Sequence, residues 1–285
     1  MSKIGLVLEG GGMRGLYTAG VLDTFLDEGI DIDGIMGVSA GALFGANFFS
    51  KQKGRALRYN KNYCKDRRYI SIHSLLTTGN IVNKDFAYYK ITNELDKFDD
   101  DTFKSTNKDF YVVVTNVETG NAEYINIKNS TIENMEVLRA TSAMPFVSKI
   151  VEVNNKKYLD GALADSIPFC KCQELGFDKI IVVLTQHLEY RKKPYNKIMQ
   201  KFIDIKYSKY PKLREKIKNR YKIYNESLDE IIKLENNKEI FVIRPSRKLG
   251  IHRLEKDENK LQEVYNLGVN DTKKIIDKLK DYINN

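Results

Sequence analysis

The 285-residue chain has no tryptophan, three histidines, three cysteines and five prolines. Each scarcity excludes something. Three thiols, Cys64, Cys170 and Cys172, cannot form an even disulfide framework, and Cys170-Lys171-Cys172 lacks the spacing of a redox pair or zinc knuckle. They read as small core-filling thiols in a reducing compartment. His73, His187 and His252 are scattered, so no metal site is expected. The uncharged run through Gly34 to Phe49 is shorter than the ~20 apolar residues of a bilayer span. An apolar strand begins almost at once, in Lys3 to Leu8, so no signal peptide is expected and the chain is assigned to the cytoplasm. There is no fixed-period repeat and no flexible linker.

A hydrophobic share of 42% is ample for a core and argues against general disorder. The net charge of +9 is unevenly placed. Between Arg191 and Lys222 stand 13 Lys and Arg against only Asp204 and Glu215, interleaved with Tyr195, Tyr207, Tyr210 and Tyr221 and flanked by Tyr190 and Tyr224. Such a segment is a solvated helix face, or else attracts anionic lipid head groups or nucleic acid.

Apolar strands read at 3–9, 34–38, 110–115, 179–184 and 239–243, the first fit for the middle of a parallel sheet. Helical spacing runs from Arg14 to Glu28, closed by Gly29, and a small-residue helix from Ala40 to Phe49 has Ala42, Gly45 and Ala46 for close packing. The stretch from Arg55 to Asp100 reads as helical with a break at Leu75 to Asn80, and Glu133 to Ala140 as a helix. Glu118 to Asn121 turns strand 110–115 into a hairpin with 123–127; Asn154-Asn155 turns Val151-Val153 into Lys156-Leu159 and delivers Asp160-Gly161. Asp257 to Tyr282 is an amphipathic helix. Strands alternating with helices indicate a three-layer α/β/α sandwich around a mostly parallel sheet. We divide it into a core at 1–189, a basic helical insertion at 190–236, and a final strand with a C-terminal helical segment at 237–285, all in one folded unit.

Two glycine motifs carry chemistry. Gly10-x-Gly12-x-x-Gly15 follows a strand and opens a helix, which matches a dinucleotide fingerprint with Asp31 and Asp33 downstream. Those acids precede the second strand, however, and the space past its end is taken by Gly37-Val38-Ser39-Ala40-Gly41. That second motif has nucleophile-elbow spacing, with small flanks for a sharp strand-to-helix turn. Beside it, the triple glycine reads as an oxyanion hole, its backbone N–H groups and the following helix end aimed at a developing alkoxide, with the Ala40 N–H as a further donor. His187 follows a strand and reads as a loop histidine rather than a base. Asp160 lies at a strand end before Gly161-Ala162, where partial desolvation would raise a carboxylate toward useful basicity. A Ser39–Asp160 dyad follows as an expectation.

In order and context, Gly10-Gly11-Gly12-Met13-Arg14-Gly15, Gly37-Val38-Ser39-Ala40-Gly41 and Asp160-Gly161-Ala162 resemble the patatin-like phospholipases. Ala140 to Phe146 resembles that family's segment before the aspartate, and Asp160 to Pro168, the strand at 179–184, Phe241 to Pro245 and Arg253 to Asp257 resemble a bacterial branch of it, so the likeness covers nearly the whole chain. Ala162 stands where many relatives carry glycine. The resemblance implies lipid acyl-ester hydrolysis through an acyl-enzyme, with Ser39 as nucleophile and Asp160 as proton acceptor. It implies that the loop from Gly10 to Gly15, Met13 and Arg14 included, surrounds the oxyanion with Ala40, and that no metal or organic cofactor is required. The implied substrate is a lipid or other acyl ester. The 190–222 stretch becomes a dock on anionic membrane or a cover over the site, with nucleic acid not expected as a partner. The competing readings are a silent lipid-binding protein on the same scaffold and a nucleic-acid-associated protein using the basic segment.

Overall fold

The structure, a computed structural model, describes residues 2–285. In chain order, β1 (Ile4–Leu8) leads through a 3-10 turn, Gly12–Gly15, into α1 (Leu16–Asp27), and β2 (Gly34–Val38) leads directly into α2 (Ala40–Phe49). There follow α3 (Arg55–Tyr63), α4 (Ile72–Thr78), a π-helical stretch Asp85–Leu95, and α5 (Asp100–Ser105). The hairpin β3 (Asp109–Asn116) and β4 (Ala122–Asn126), α6 (Ile132–Thr141), and the hairpin β5 (Val151–Val153) and β6 (Lys156–Asp160) come next. The chain ends with α7 (Phe169–Glu174), β7 (Lys179–Val183), α8 (Lys197–Lys206), α9 (Pro211–Asn236), β8 (Phe241–Ile243) and α10 (Glu258–Asn284).

The strands form one sheet in the order β5-β6-β3-β2-β1-β7-β8, with β4 also paired to β3. The centre is parallel and the β3–β6 end antiparallel. Alternate residues of the central strands face two layers, as the period of two in a strand requires. Leu6, Leu8, Ile35, Ile181 and Val183 enter the larger core with α1, α2 and α6. Val7, Met36, Ile180 and Val182 enter a second core with Phe169, Cys172, Leu228 and Ile231 of α7 and α9. The expected three-layer arrangement is therefore present, with a mostly parallel sheet.

Several turns follow from local chemistry. Asn154 and Asn155 have φ of 50° and 60°, the left-handed pair that a two-residue hairpin of this twist requires. Asp257 caps α10 by accepting from the Asn259 and Lys260 amides. The expected break at Leu75–Asn80 is wrong in place. Leu75 to Thr78 belong to α4, because Ser71 caps that helix through the Ser74 amide and Gly79, at φ 77°, ends it. Cys170 is also not a core thiol. It is exposed, while Cys172 is buried under Gly5, since positions two apart on a helix face different ways.

The long helix α10 lies against α1 with the two backbones nearly touching. A β-carbon at Gly268 would fall 2.1 Å from the Tyr17 carbonyl oxygen, and one at Gly20 would fall 2.2 Å from that of Tyr265. Neither obstacle is a flexible side chain, so a methyl group must force the helices apart. Gly268→Ala is expected to cost about 1–3 kcal/mol of unfolding free energy. A denaturant titration should show it as a lower midpoint at unchanged slope.

Candidate active site

Ser39 connects β2 to α2 with φ 53° and ψ −124°, a conformation unusual for a residue with a side chain. Such strain costs about 1–3 kcal/mol and persists only where the surroundings hold it. Here they do. The Ser39 amide donates to Thr141 Oγ1 at 2.8 Å, and that hydroxyl donates to the Val113 carbonyl at 2.5 Å. A β-carbon at Gly37 would lie 2.5 Å from Ala42 Cα, and one at Gly41 would lie 2.5 Å from the Leu8 carbonyl. Both flanks must be glycine for the chain to turn so sharply.

Asp160 reaches the same place from the opposite direction. β4 occupies one edge of β3, pairing with residues 111–115. Along the other edge β2 runs parallel as far as Val38 opposite Val113, and β6 runs antiparallel to end with Asp160 opposite Val114. The two strands therefore point their carboxyl ends at each other, and Ser39 and Asp160 stand at the junction. Asp160 is 6% exposed. Its Oδ1 accepts the Ala162 amide at 2.9 Å, and Thr115 Oγ1 donates to its carbonyl at 2.8 Å. Burial pushes the carboxyl up from the ordinary aspartate range; the positive charge of Arg220, the Ala162 amide, Arg253 and the Ser39 hydroxyl pull it back. No hydrogen bond of standard geometry joins Ser39 to Asp160.

The glycine loop closes the third side. A β-carbon on Gly10 would stand 2.9 Å from Ser39 Cβ, and one on Gly12, whose φ is 58°, would stand 2.5 Å from the Arg253 carbonyl oxygen. The amides of Gly10, Gly11 and Gly12 have no partner among the described residues, and Ala40 heads α2, where the first amides are unpaired. The rest of the expected oxyanion loop differs. The Met13 amide is spent on the Arg253 carbonyl at 3.0 Å, and those of Arg14 and Gly15 lie inside the i→i+3 pattern of the 3-10 turn. Preceding the loop, Glu9 is buried and accepts from the Thr185 amide and hydroxyl and from Tyr224. Nothing in the sequence had singled it out.

Two cavities meet at Ser39. A crevice of about 220 Å³ is lined by the glycine loop, Ser39, Asp160, Phe146, Arg220 and Arg253. A second of about 130 Å³ runs between α2, α3, the 85–95 stretch and α6, lined mainly by apolar groups such as Leu43, Phe44, Ile91, Phe103 and Leu138. They share Gly12, Ser39, Met144, Arg253 and Leu254.

None of the three histidines lines either cavity; His187 pairs with Glu189 at 2.9 Å. The dinucleotide reading fails on placement. Asp33 accepts the Ile4 amide and Asp31 pairs with Lys108, both at the end of the sheet opposite the glycine loop. Arg220 and Lys192, counted among the basic segment's surface charges, instead turn inward. Thr141, the pin of the elbow, left no signal of its own kind, because its two partners are 102 and 28 residues away.

Residues 6–170 match the model of a family described as patatin-like phospholipase, and residues 210–284 match a domain of unknown function (DUF6363). The chain is 30% identical over 188 residues to the uncharacterized protein YjjU of Escherichia coli, covering 64% of this chain and 52% of that one. It is 26% identical over 181 residues to lysophospholipase NTE1 of Saccharomyces cerevisiae, covering 63% of this chain and 10% of the relative. It thus spans about half the length of the first and a tenth of the second. Among solved structures, VipD from Legionella pneumophila aligns with a TM-score of 0.46 at 12% identity, over 97% of this chain and 67% of that one.

Thr141→Val removes the pin while keeping its shape, leaving the Ser39 amide and the Val113 carbonyl without their buried partner. We expect a loss of about 1–3 kcal/mol in stability on thermal or denaturant unfolding, with Thr141→Ser close to wild type.

Proposed function

Because the chain belongs to the patatin-like phospholipase family, we propose that it is a lipid acyl hydrolase working through a Ser39–Asp160 dyad. The observation that carries this reading is the meeting of a strained serine and a buried carboxylate where a polar crevice opens into an apolar cavity. The cavity suits an acyl chain, and the crevice suits the ester and the group beyond it.

The chemistry follows from the groups present. Ser39 Oγ attacks the ester carbonyl carbon while its proton passes to the Asp160 carboxylate. The carbonyl electrons move onto oxygen, and that alkoxide faces the amides of Gly10, Gly11, Gly12 and Ala40. Collapse expels the alcohol, which takes the proton from Asp160, and leaves an acyl-serine. Water then loses its proton to Asp160 as it attacks. The fatty acid departs, and the proton returns to Ser39. A carboxylate serves as the base because burial lifts it above an exposed aspartate, while the positive charges of Arg220 and Arg253 oppose that rise.

The mouth of the crevice adds a surface for lipid. On α8, Ile198, Phe202 and Ile205 are 81%, 46% and 75% exposed on one face, surrounded by Lys197, Lys201 and Lys206. Phe202 packs on the crevice residue Phe146 at 5.6 Å between ring centroids. Ile72 and Leu76 of α4 are exposed as well, and the segment just past α4 joins the same rim where Ile81 bonds Val147. An apolar stripe ringed by lysines fits an anionic bilayer surface. Among the described residues no helix is long and apolar enough to cross a membrane.

Ser39→Ala and Asp160→Asn should each lower kcat/KM for a p-nitrophenyl ester by at least about 10³-fold; wild-type turnover by Ser39→Ala would sink the dyad. Protonated Asp160 is inactive. The acid limb should therefore begin at higher pH than the ~3.9 of an exposed aspartate, with no dependence on a histidine. For the surface, Ile198→Ser combined with Ile205→Ser should weaken sedimentation with phosphatidylglycerol vesicles by on the order of 10-fold, from lost apolar burial. Unchanged partitioning would remove α8 from the lipid contact.

A further inference from the structure

Four basic side chains crowd the space beside the crevice, with the carboxylate of Glu9 among them. Arg14 from the 3-10 turn, Lys192 from the segment after β7, Arg220 from α9 and Arg253 from the loop before α10 line one small recess behind the glycine loop. Arg220 and Arg253 line the crevice of Ser39 and Asp160 as well. Among the described residues none of the four forms an ion pair within 4.0 Å. Arg220 Nε donates to the Ala162 carbonyl at 2.6 Å, Lys192 Nζ lies 3.7 Å over the Tyr224 ring, and Arg14 Nε is buried with no partner at all. The two nearby carboxylates are engaged elsewhere, Glu9 by Thr185 and Tyr224 and Asp160 by the Ala162 amide.

Like charges gathered in a desolvated wall repel, and proteins rarely keep them without an anion to answer them. The repulsion registers on Lys192: burial first, then Arg220, Arg253 and Arg14 pull its ammonium down to about 6, with Glu9 opposing.

We propose that the wall formed by Arg220 and Arg253, backed by Lys192, is a phosphate subsite: it binds the phosphate of the substrate's head group, or free phosphate, beside Ser39. Guanidinium forks suit phosphate oxygens, and a charge-assisted contact is worth about 1.5–3 kcal/mol. Lys192, Arg220 and Arg253 all lie beyond residue 170, outside the stretch that matches the family model, and the two arginines lie inside the 210–284 domain of unknown function. That segment thereby acquires a task, which is to read the anion for a catalytic core that supplies the nucleophile. The head-group source rests on the hydrolase reading; phosphate binding itself does not.

Two measurements test this. In the first, full-length Ser39→Ala protein is titrated with inorganic phosphate by calorimetry, which needs no turnover. Saturable binding is expected, weakened on the order of 10-fold or more when Arg253→Gln or Lys192→Met is added. Both changes spare the Arg253 carbonyl that holds Met13. The exposed change Lys273→Met should leave binding as it was; equal weakening there would reduce the effect to net charge and overturn the proposal. In the second, the ratio of kcat/KM for lysophosphatidylglycerol to that for the monoacylglycerol of the same chain is compared between wild type and Arg253→Gln. A ratio is insensitive to the fraction of folded enzyme. A fall on the order of 10-fold assigns the subsite to the head group. Phosphate binding lost with the ratio unchanged assigns it to free phosphate. Absence of phosphate binding together with an unchanged ratio overturns the subsite. Wild-type turnover by Ser39→Ala would instead defeat the dyad and leave the phosphate titration intact.

Discussion

Everything at the site hangs on one edge of β3. The edge has room for two short partners, β2 for its first half and β6 for its second, and their opposite directions bring two carboxyl ends together. The junction is tight. A β-carbon on Gly161 would fall 2.1 Å from the Val113 carbonyl, and Thr115 clamps the carbonyls of Asp160 and Gly161 from within β3. Thr141 ties the Val113 carbonyl to the Ser39 amide. Three consecutive residues of a buried strand, 113 to 115, thus set where Ser39 and Asp160 stand. A rigid central strand does here what a loop could not do with comparable accuracy.

Electrostatics then decides what those side chains can do. Burial of Asp160 disfavours its charge, and the arginines around it oppose that effect without contacting it as ion-pair partners. On the proposed reading, that balance would let a carboxylate take the place a histidine holds in a serine triad. It also concentrates unpaired cations near the crevice, an arrangement a protein selected for stability alone would avoid.

What was legible in the sequence was mostly local. The bounds of β2 and α2, the Asn154-Asn155 turn and the elbow glycines each follow from chemistry within a few residues, because turns and caps are short-range devices. The misreadings share another cause. Lys192 and Arg220 look like their solvated neighbours in a run of lysines and tyrosines, since what turns each inward is remote in the chain, Tyr224 for Lys192 and Ala162 for Arg220. The Met13 amide was counted as a free donor because its acceptor, the Arg253 carbonyl, lies 240 residues further on. Cys170 and the misplaced break before Gly79 were smaller errors of the same sort, in which a helix face and a cap had to be seen to be assigned.

The sequence by itself determined the class of fold and the two strand-to-helix turns, and it singled out Ser39 and Asp160 as the candidates, because glycine spacing and hydrophobic period constrain the backbone wherever they occur. Only the tertiary structure decided that Ser39 and Asp160 share one edge of one strand. It also decided that the apolar cavity opens at that point, and that cations from the last third of the chain close around it. Those are facts of long-range register and packing. Pairing energies along a chain do not reveal them, since each depends on partners that the local pattern leaves unnamed.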